Sequence, residues 1–423
     1  MWLLKGGRVL CPASRVDGPL DVRVAGGRVV EIGHALPAGD AEVIDCAGAV
    51  VVPAFVDLAS ELCDPGMTWR EDLRTGSLAA AAGGYGIVVA SPATDPVVDC
   101  ASVASDVLAR AASAPGAEIR LAGALTVGLA GRELAELNDL AEAGCIAFSD
   151  GGRALSDPLV LRNALDYARP VGRIVLLRPG EPALEERGCM HEGPTSTLLG
   201  LHGIPAASEE IGVARAIVLA RLTGVRVHLS PVTTARAASM IAAAQQEGLP
   251  VSGAVPARSL LLTDQAVDTS FYDTATRLLP PLRPESDRAA MVAAVRVGVL
   301  SIAADHVPLT RVEKEHEFAL ATPGAVGLET AFSAALTALG DLAAAVFALA
   351  VAPGRLLGLD PRVAVGARAD LAILVPDEDR DVVLPRFSRG CNEPLVGQTL
   401  RGQVRGTLVR GRPVFGPGSG VIG

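Results

Sequence analysis

Apolar and polar positions divide the chain into three stretches. From residue 1 to about 52, the segments LLKGGRVL, DVRVAGGRVVEIG and AEVIDCAGAVVVPAF read as short β-strands separated by glycine turns. Gly6-Gly7 and Gly26-Gly27 sit between alternating apolar positions, which predicts hairpins because glycine accepts positive φ without steric cost. A matching β-rich run closes the chain, with ADLAILVP from Ala369 and QVRGTLVRGRPVFG from Gln403. Two such ends around a long middle predict that both termini build one small β-domain.

The middle, from about Val51 to Gly358, alternates continuous apolar runs with alanine- and leucine-rich stretches of 3.6-residue spacing. The eight candidate strands are VVPAFVDL, YGIVVAS, EIRLAGAL, GCIAFSD, GRIVLLR, VRVHLS, PVSGAV and VGVLSIAAD. Segments such as DLRTGSLAAAAGG and EEIGVARAIVLARLTG end in glycine, as helix C-caps often do. Continuous apolar strands separated by helices imply a parallel sheet covered on both faces. The predicted architecture is an α/β fold: a (β/α)8 TIM-type barrel over residues 53–358. Its composite β-sandwich is expected from residues 1–52 and 359–423.

Composition narrows the possible functions. Of 423 residues, 50% are hydrophobic and 20% charged, a mix that excludes a disordered chain, and only 3% are aromatic, so the core must be aliphatic. A formal charge of -10 gives no electrostatic reason to bind nucleic acid or anionic membranes. No apolar run reaches the roughly 18 to 20 residues of a membrane span, and MWLLKGGRVL lacks the features of a signal peptide, so a cytoplasmic protein is expected. The seven cysteines are scattered and never spaced as CxxC, which suggests neither a disulfide framework nor a thiolate zinc site. Lysine occurs only at Lys5 and Lys314. No GxGxxG or P-loop follows a strand, and no local motif marks a Ser-His-Asp set.

Active sites of such barrels lie at the C-terminal ends of the strands. The first ends in Asp57-Leu58-Ala59-Ser60-Glu61-Leu62-Cys63-Asp64-Pro65-Gly66. Further blocks follow in order: AAAAGGYGIVVASPATDP, CIAFSDGG at Cys145, MHEGPTSTLLGLHGIP at Met190, PPLRPESDR at Pro280, AADHVPL at Ala303 and PGAVGLET at Pro323. With these colinear blocks the chain resembles the dihydroorotases of the amidohydrolase superfamily. The first-strand motif of that family is Asp-x-His-x-His-x-Arg followed by Pro-Gly. Here Asp57 and Pro65-Gly66 remain, while Ala59, Glu61 and Cys63 replace the two histidines and the arginine.

The resemblance implies one or two zinc ions that activate a water against a cyclic amide. Its ligand positions fall on Ala59 and Glu61 after strand one, Asp150 after strand four, and Arg178 or Pro179 after strand five. They continue with Pro231 after strand six and Asp305, the family's catalytic base, after strand eight. No histidine ligand is left. Glu61, Asp150 and Asp305 offer oxygens for a hard cation, but Arg178 at the same mouth is expected to pair with these carboxylates instead. The positions that clamp the substrate carboxylate in the family read Cys63, Ala93 and Leu309, none of which donates a charge-assisted hydrogen bond. His228 and His306 are expected in hydrogen-bonded structural roles, and His34, His191, His202 and His316 at the surface or in loops.

The expectation drawn from these substitutions is a non-catalytic homologue without a cofactor, and without catalytic, substrate-binding or metal residues. Within the resemblance, such homologues are structural partners of aspartate carbamoyltransferase, which implies a hetero-oligomer. The alternatives are a divergent metal-dependent cyclic amidohydrolase, with zinc in that case, and a small-molecule binding module.

Overall fold

The computed structural model describes residues 1–421. Its central sheet has eight parallel strands: Phe55–Ser60, Tyr85–Ala90, Glu118–Ala124, Ala147–Ser149, Ile174–Leu177, Val227–Leu229, Val251–Pro256 and Leu300–Ala303. Each of the eight apolar runs contributes one strand to this sheet, in sequence order, and a helix lies between each pair of successive strands. The amide of Ala304 donates to Asp57 Oδ1 (2.8 Å), and that of Glu61 to the carbonyl of His306 (2.9 Å), linking the ends of the first and eighth strands. The architecture is a TIM-type barrel.

Local chemistry sets the helix limits. Leu73–Ala82 starts at Asp72, whose carboxylate accepts the Thr75 amide (2.7 Å), and stops at Gly83. A Cβ on Gly83 would lie 1.9 Å from the Leu328 carbonyl, so only glycine lets the AAAAGG and PGAVGLET blocks meet. Ala206–Thr223 ends at Gly224 with φ 73°, the left-handed cap expected from its sequence. The few aromatics are concentrated: Phe55 lies with its ring centroid 5.7 Å from both Tyr85 and Phe332. Such contacts add roughly 0.5 to 1.5 kcal/mol each beyond the area they bury.

The barrel interior is two-sided. Val56, Leu58, Ile87, Val89, Ala122, Ala147, Ile174 and Leu176, from the first five strands, form an aliphatic cluster. Opposite them, strands six to eight contribute His228, Ser252 and Ser301, all polar. Alternation decides this, because Val227 and Leu229 flank His228 and belong to the large core cluster.

Both chain ends build two further sheets. One has four strands, in the order Arg28–Gly33, Asp21–Ala25, Trp2–Lys5, Glu42–Asp45. The other has six, in the order Arg412–Phe415, Thr399–Val409, Leu371–Asp381, Val50–Pro53, Arg8–Cys11, Val16–Pro19. Two sequence expectations change here. The run VVPAFVDL is not one strand, since Val50–Pro53 pairs antiparallel with Leu371–Leu374 and only Phe55–Ser60 enters the barrel. Gly6-Gly7 is not a hairpin but carries the chain from the four-stranded to the six-stranded sheet, and a Cβ on Gly7 would meet Cys46 Cβ at 2.8 Å. Gly26-Gly27 does turn a hairpin, between Asp21–Ala25 and Arg28–Gly33. Among the described residues, no helix is long and apolar enough to cross a membrane.

Candidate active site

The C-terminal ends of the barrel strands enclose a cavity of about 80 Å³. Its lining includes Ala59, Glu61, Arg178, His228, Pro231 and Asp305, so the structure does bring the first-, fifth-, sixth- and eighth-strand positions together. At this size it admits a single small ring or a few waters.

The carboxylates around the mouth differ sharply in environment. Asp150 is buried and saturated: Oδ1 accepts the amides of Leu125 (3.0 Å) and Thr126 (2.9 Å), and Oδ2 accepts the Thr126 hydroxyl (2.7 Å). It braces the loop after the third strand. Asp57 likewise accepts from Ala304 N, Ala59 N and Ser60 Oγ. Glu61 is different. Burial pushes its carboxyl up to about 7, with Asp305 adding to the rise and Arg70 and His306 opposing it. Asp305 is raised too, first by burial, against the pull of Arg258. Its backbone sits at φ 47°, a left-handed conformation uncommon for a residue other than glycine.

Arg178 does not pair with the mouth carboxylates as expected. It forks onto Glu185, Nη1 to Oε1 at 3.0 Å and Nη2 to Oε2 at 2.7 Å. Glu185 lies in the short helix Pro182–Glu185 just after the fifth strand, so the partner is close along the chain. Arg258, at the end of strand seven, takes the place foreseen for Arg178 beside Asp305: Nη2 donates to Asp305 Oδ2 and, at 3.0 Å, to the Asp305 carbonyl. Pro179 is buried, with its carbonyl carbon 2.8 Å from where a Cβ on Gly212 would sit, and is no part of the mouth. Of the clamp positions, Cys63 and Leu309 are buried and Ala93 is half-buried beside the Gly151 turn.

These residues do not fit the zinc implied by the resemblance. Ala59 and Pro231 carry no ligand atom, Arg178 is a cation, and Asp150 spends both oxygens on the protein. Among the described residues, no group of three or more His, Cys, Asp or Glu side chains is placed to hold a metal ion.

The histidines part company. His306 is fully engaged, with Nδ1 accepting the Gly327 amide (3.3 Å) and Nε2 facing Glu71 (3.3 Å). His228 has one partner, Ser252 Oγ at 2.9 Å from Nδ1, while its buried Nε2 has none. His191 is not at the surface. Its Nδ1 lies 3.1 Å from Arg283 Nη1, inside a buried network that sequence reading missed. There Glu209 accepts the amides of Thr233 and Thr234 (both 2.8 Å), and Arg283 reaches Thr233 Oγ1 (3.1 Å) and Glu209 Oε2 (3.4 Å). This network ties the MHEGP, PVTT and PPLRPE segments together, and the matching blocks were its only signal in the sequence.

Comparison with known proteins agrees with this architecture. A family model described as "Dihydro-orotase-like" matches residues 48–237. A dihydroorotase of Anaeromyxobacter dehalogenans is 42% identical over 97% of this chain and 97% of its own. One of Pelotomaculum thermopropionicum is 40% identical, covering 98% of each. Among solved structures, the L-hydantoinase (dihydropyrimidinase) of Arthrobacter aurescens superposes with a TM-score of 0.86 at 22% identity, covering 97% of this chain and 95% of that one. The D-hydantoinase (dihydropyrimidinase) of a Thermus species gives 0.84 at 20%, covering 100% and 97%. At that identity the two structures speak to the fold alone.

The full-length relatives overturn two expectations. A chain 42% identical to proteins named dihydroorotase is not to be read as a non-enzyme on the strength of substituted ligand positions. The expectation of no cofactor falls with it, because the resemblance makes metal assistance the rule for that family. What stands apart from both corrections is local: the four-histidine zinc arrangement is not the one this mouth can build.

Proposed function

Because the chain belongs to the dihydroorotase family, we propose that it is a cyclic amidohydrolase of pyrimidine metabolism, opening or closing a dihydropyrimidine-type ring amide at the barrel mouth. The observation that carries this reading is Glu61, a carboxyl held near neutrality in a small cavity beside Asp305. A group at that value is half ionised at working pH, which suits a general base. Zinc in the family supplies a water of lowered pKa. Whatever activates the water, the chain's own contribution at this mouth is a carboxyl placed to move the proton. Glu61 takes a proton from water as the new C–O bond forms at the ring carbonyl. The Glu61 carboxylic acid so formed returns that proton to the ring nitrogen as the tetrahedral intermediate collapses and the C–N bond breaks. Arg258 fixes the Asp305 carboxyl in place.

The test is turnover of dihydroorotate, carbamoyl aspartate and 5,6-dihydrouracil, with and without added divalent metal. Ring opening or closure of at least one, lost in Glu61→Gln, is expected. Absence of turnover for all three under both conditions overturns the reading.

The proposal extends to a hetero-oligomer with aspartate carbamoyltransferase. Its support is the family resemblance, in which homologues with substituted ligand positions are structural partners of that enzyme, and it is compatible with activity at the mouth.

A further inference from the structure

The helix Ala206–Thr223, between the fifth and sixth barrel strands, buries one face with Val213, Ala216, Ile217 and Ala220. Its outward face is apolar as well. Ile211, Val218 and Leu222 are 44%, 58% and 61% exposed, and Ala207 and Ala214 continue the same line. At 3.6 residues per turn these five positions form one stripe along the solvent side. The neighbouring helix Pro158–Val171 instead turns Arg162, Asn163, Asp166 and Arg169 outward. Among the described residues, no other helix exposes more than one large apolar side chain. A helix that is apolar on both sides is ordinarily covered on both sides.

The charges beside the stripe indicate what covers it. Glu210 and Arg221 lie on one flank, about 20° apart around the helix axis and about 16 Å apart along it. On the other flank, Arg215 is held within the chain by Glu181. When two such helices pair antiparallel about a twofold axis, like flanks meet, so each Glu210 faces the partner's Arg221. The same register sets Ile211 against the partner's Leu222, and small Ala214 against the partner's Val218. In the single chain Arg221 reaches Glu247, but both are about half exposed (49% and 54%), so that pair is weak and can be shared. One helix is narrower than the roughly 800 Å² that each side of a stable interface buries. Its packed neighbours supply the shoulders, with exposed Leu159 on Pro158–Val171 and small Ser239 and Ala243 on Ala235–Gln246.

We propose that this face is an interface between two copies of the chain, with Ala206–Thr223 pairing antiparallel about a twofold axis level with Ala216. The pairing is self-complementary, apolar stripe on apolar stripe with one Glu210–Arg221 contact at each end. It is independent of the chemistry at the barrel mouth.

The experiment uses the full chain. Light scattering after size exclusion at micromolar concentration is expected to give twice the mass of one chain, and backbone hydrogen exchange in residues 206–223 to slow as concentration rises. Val218→Glu, at an exposed position, is expected to give a monomer that circular dichroism shows to be folded. Glu210→Arg alone sets like charges together at both ends and should weaken dimerisation by roughly tenfold. Glu210→Arg combined with Arg221→Glu should recover most of that loss. A monomer at micromolar concentration, a dimer that Val218→Glu leaves intact, or reversed charges that fail to recover together overturns the proposal. So does protection of 206–223 that appears only on adding aspartate carbamoyltransferase, which would assign the face to that enzyme. Hydrogen exchange is read on the unsubstituted protein, so it decides even if a variant fails to fold.

Discussion

Arg258 and Asp305 bind each other across the ends of the seventh and eighth barrel strands, side chain to side chain and side chain to carbonyl. The guanidinium also donates to the Ala304 carbonyl (3.2 Å), and its side chain is only 4% exposed. Asp305 is therefore held by a partner that cannot leave without stranding a buried charge.

Arg258→Met should accordingly destabilise the protein strongly, by about 3 to 5 kcal/mol, the cost of breaking one side of a buried ion pair. Urea unfolding of the variant measures it. A midpoint equal to that of the parent would mean Asp305 is solvated or protonated at no cost.

Glu61 makes stability depend on pH in a definite direction. Its folded pKa of about 7 lies above the ordinary 4.5, so the folded protein holds a proton that the unfolded chain releases between those values. Stability should fall as pH rises through that window and level off above it. Glu61→Gln should flatten the slope. Thermal melting of both proteins at a series of pH values is the check, and an unchanged slope in the variant would place the titration elsewhere. In turnover, the same group should give a limb near pH 7 that the variant lacks.

Within the buried network, Glu209 should matter more than Arg283. Glu209 also takes the amides of Thr233 and Thr234 and the Thr234 hydroxyl (3.1 Å), so its loss orphans two buried N–H groups, whereas loss of Arg283 leaves those bonds made. Glu209→Ala is expected to cost roughly 3 to 5 kcal/mol and Arg283→Met distinctly less, since each buried unsatisfied donor costs about 1 to 3 kcal/mol. Paired denaturation curves test the order, and the reverse order would show that the ion pair dominates.

Association with aspartate carbamoyltransferase predicts co-elution on size exclusion after co-expression, at micromolar concentration, through an interface of about 1,200 Å² or more. Separate elution, with the transcarbamoylase equally active and stable alone, would refute it.

What the amino-acid sequence determined by itself was local. Eight apolar runs, glycine-capped helices and β-rich ends specify strands and helices because side-chain periodicity and positive-φ glycines act over a few residues. The loss of ligand atoms at Ala59 and Pro231 was equally legible, since an absent functional group needs no geometry. Partnership was another matter. Arg178 and Arg258 look alike in the sequence, yet one pairs 7 residues away with Glu185 and the other 47 residues away with Asp305. Asp150 reads as a ligand until the loop at Leu125 and Thr126 closes on it. His191 reads as a loop residue until PPLRPE packs against it. Only the closing of the barrel decided these cases, because a charge or lone pair is satisfied by whatever lies within about 3 Å in space, whatever its distance along the chain.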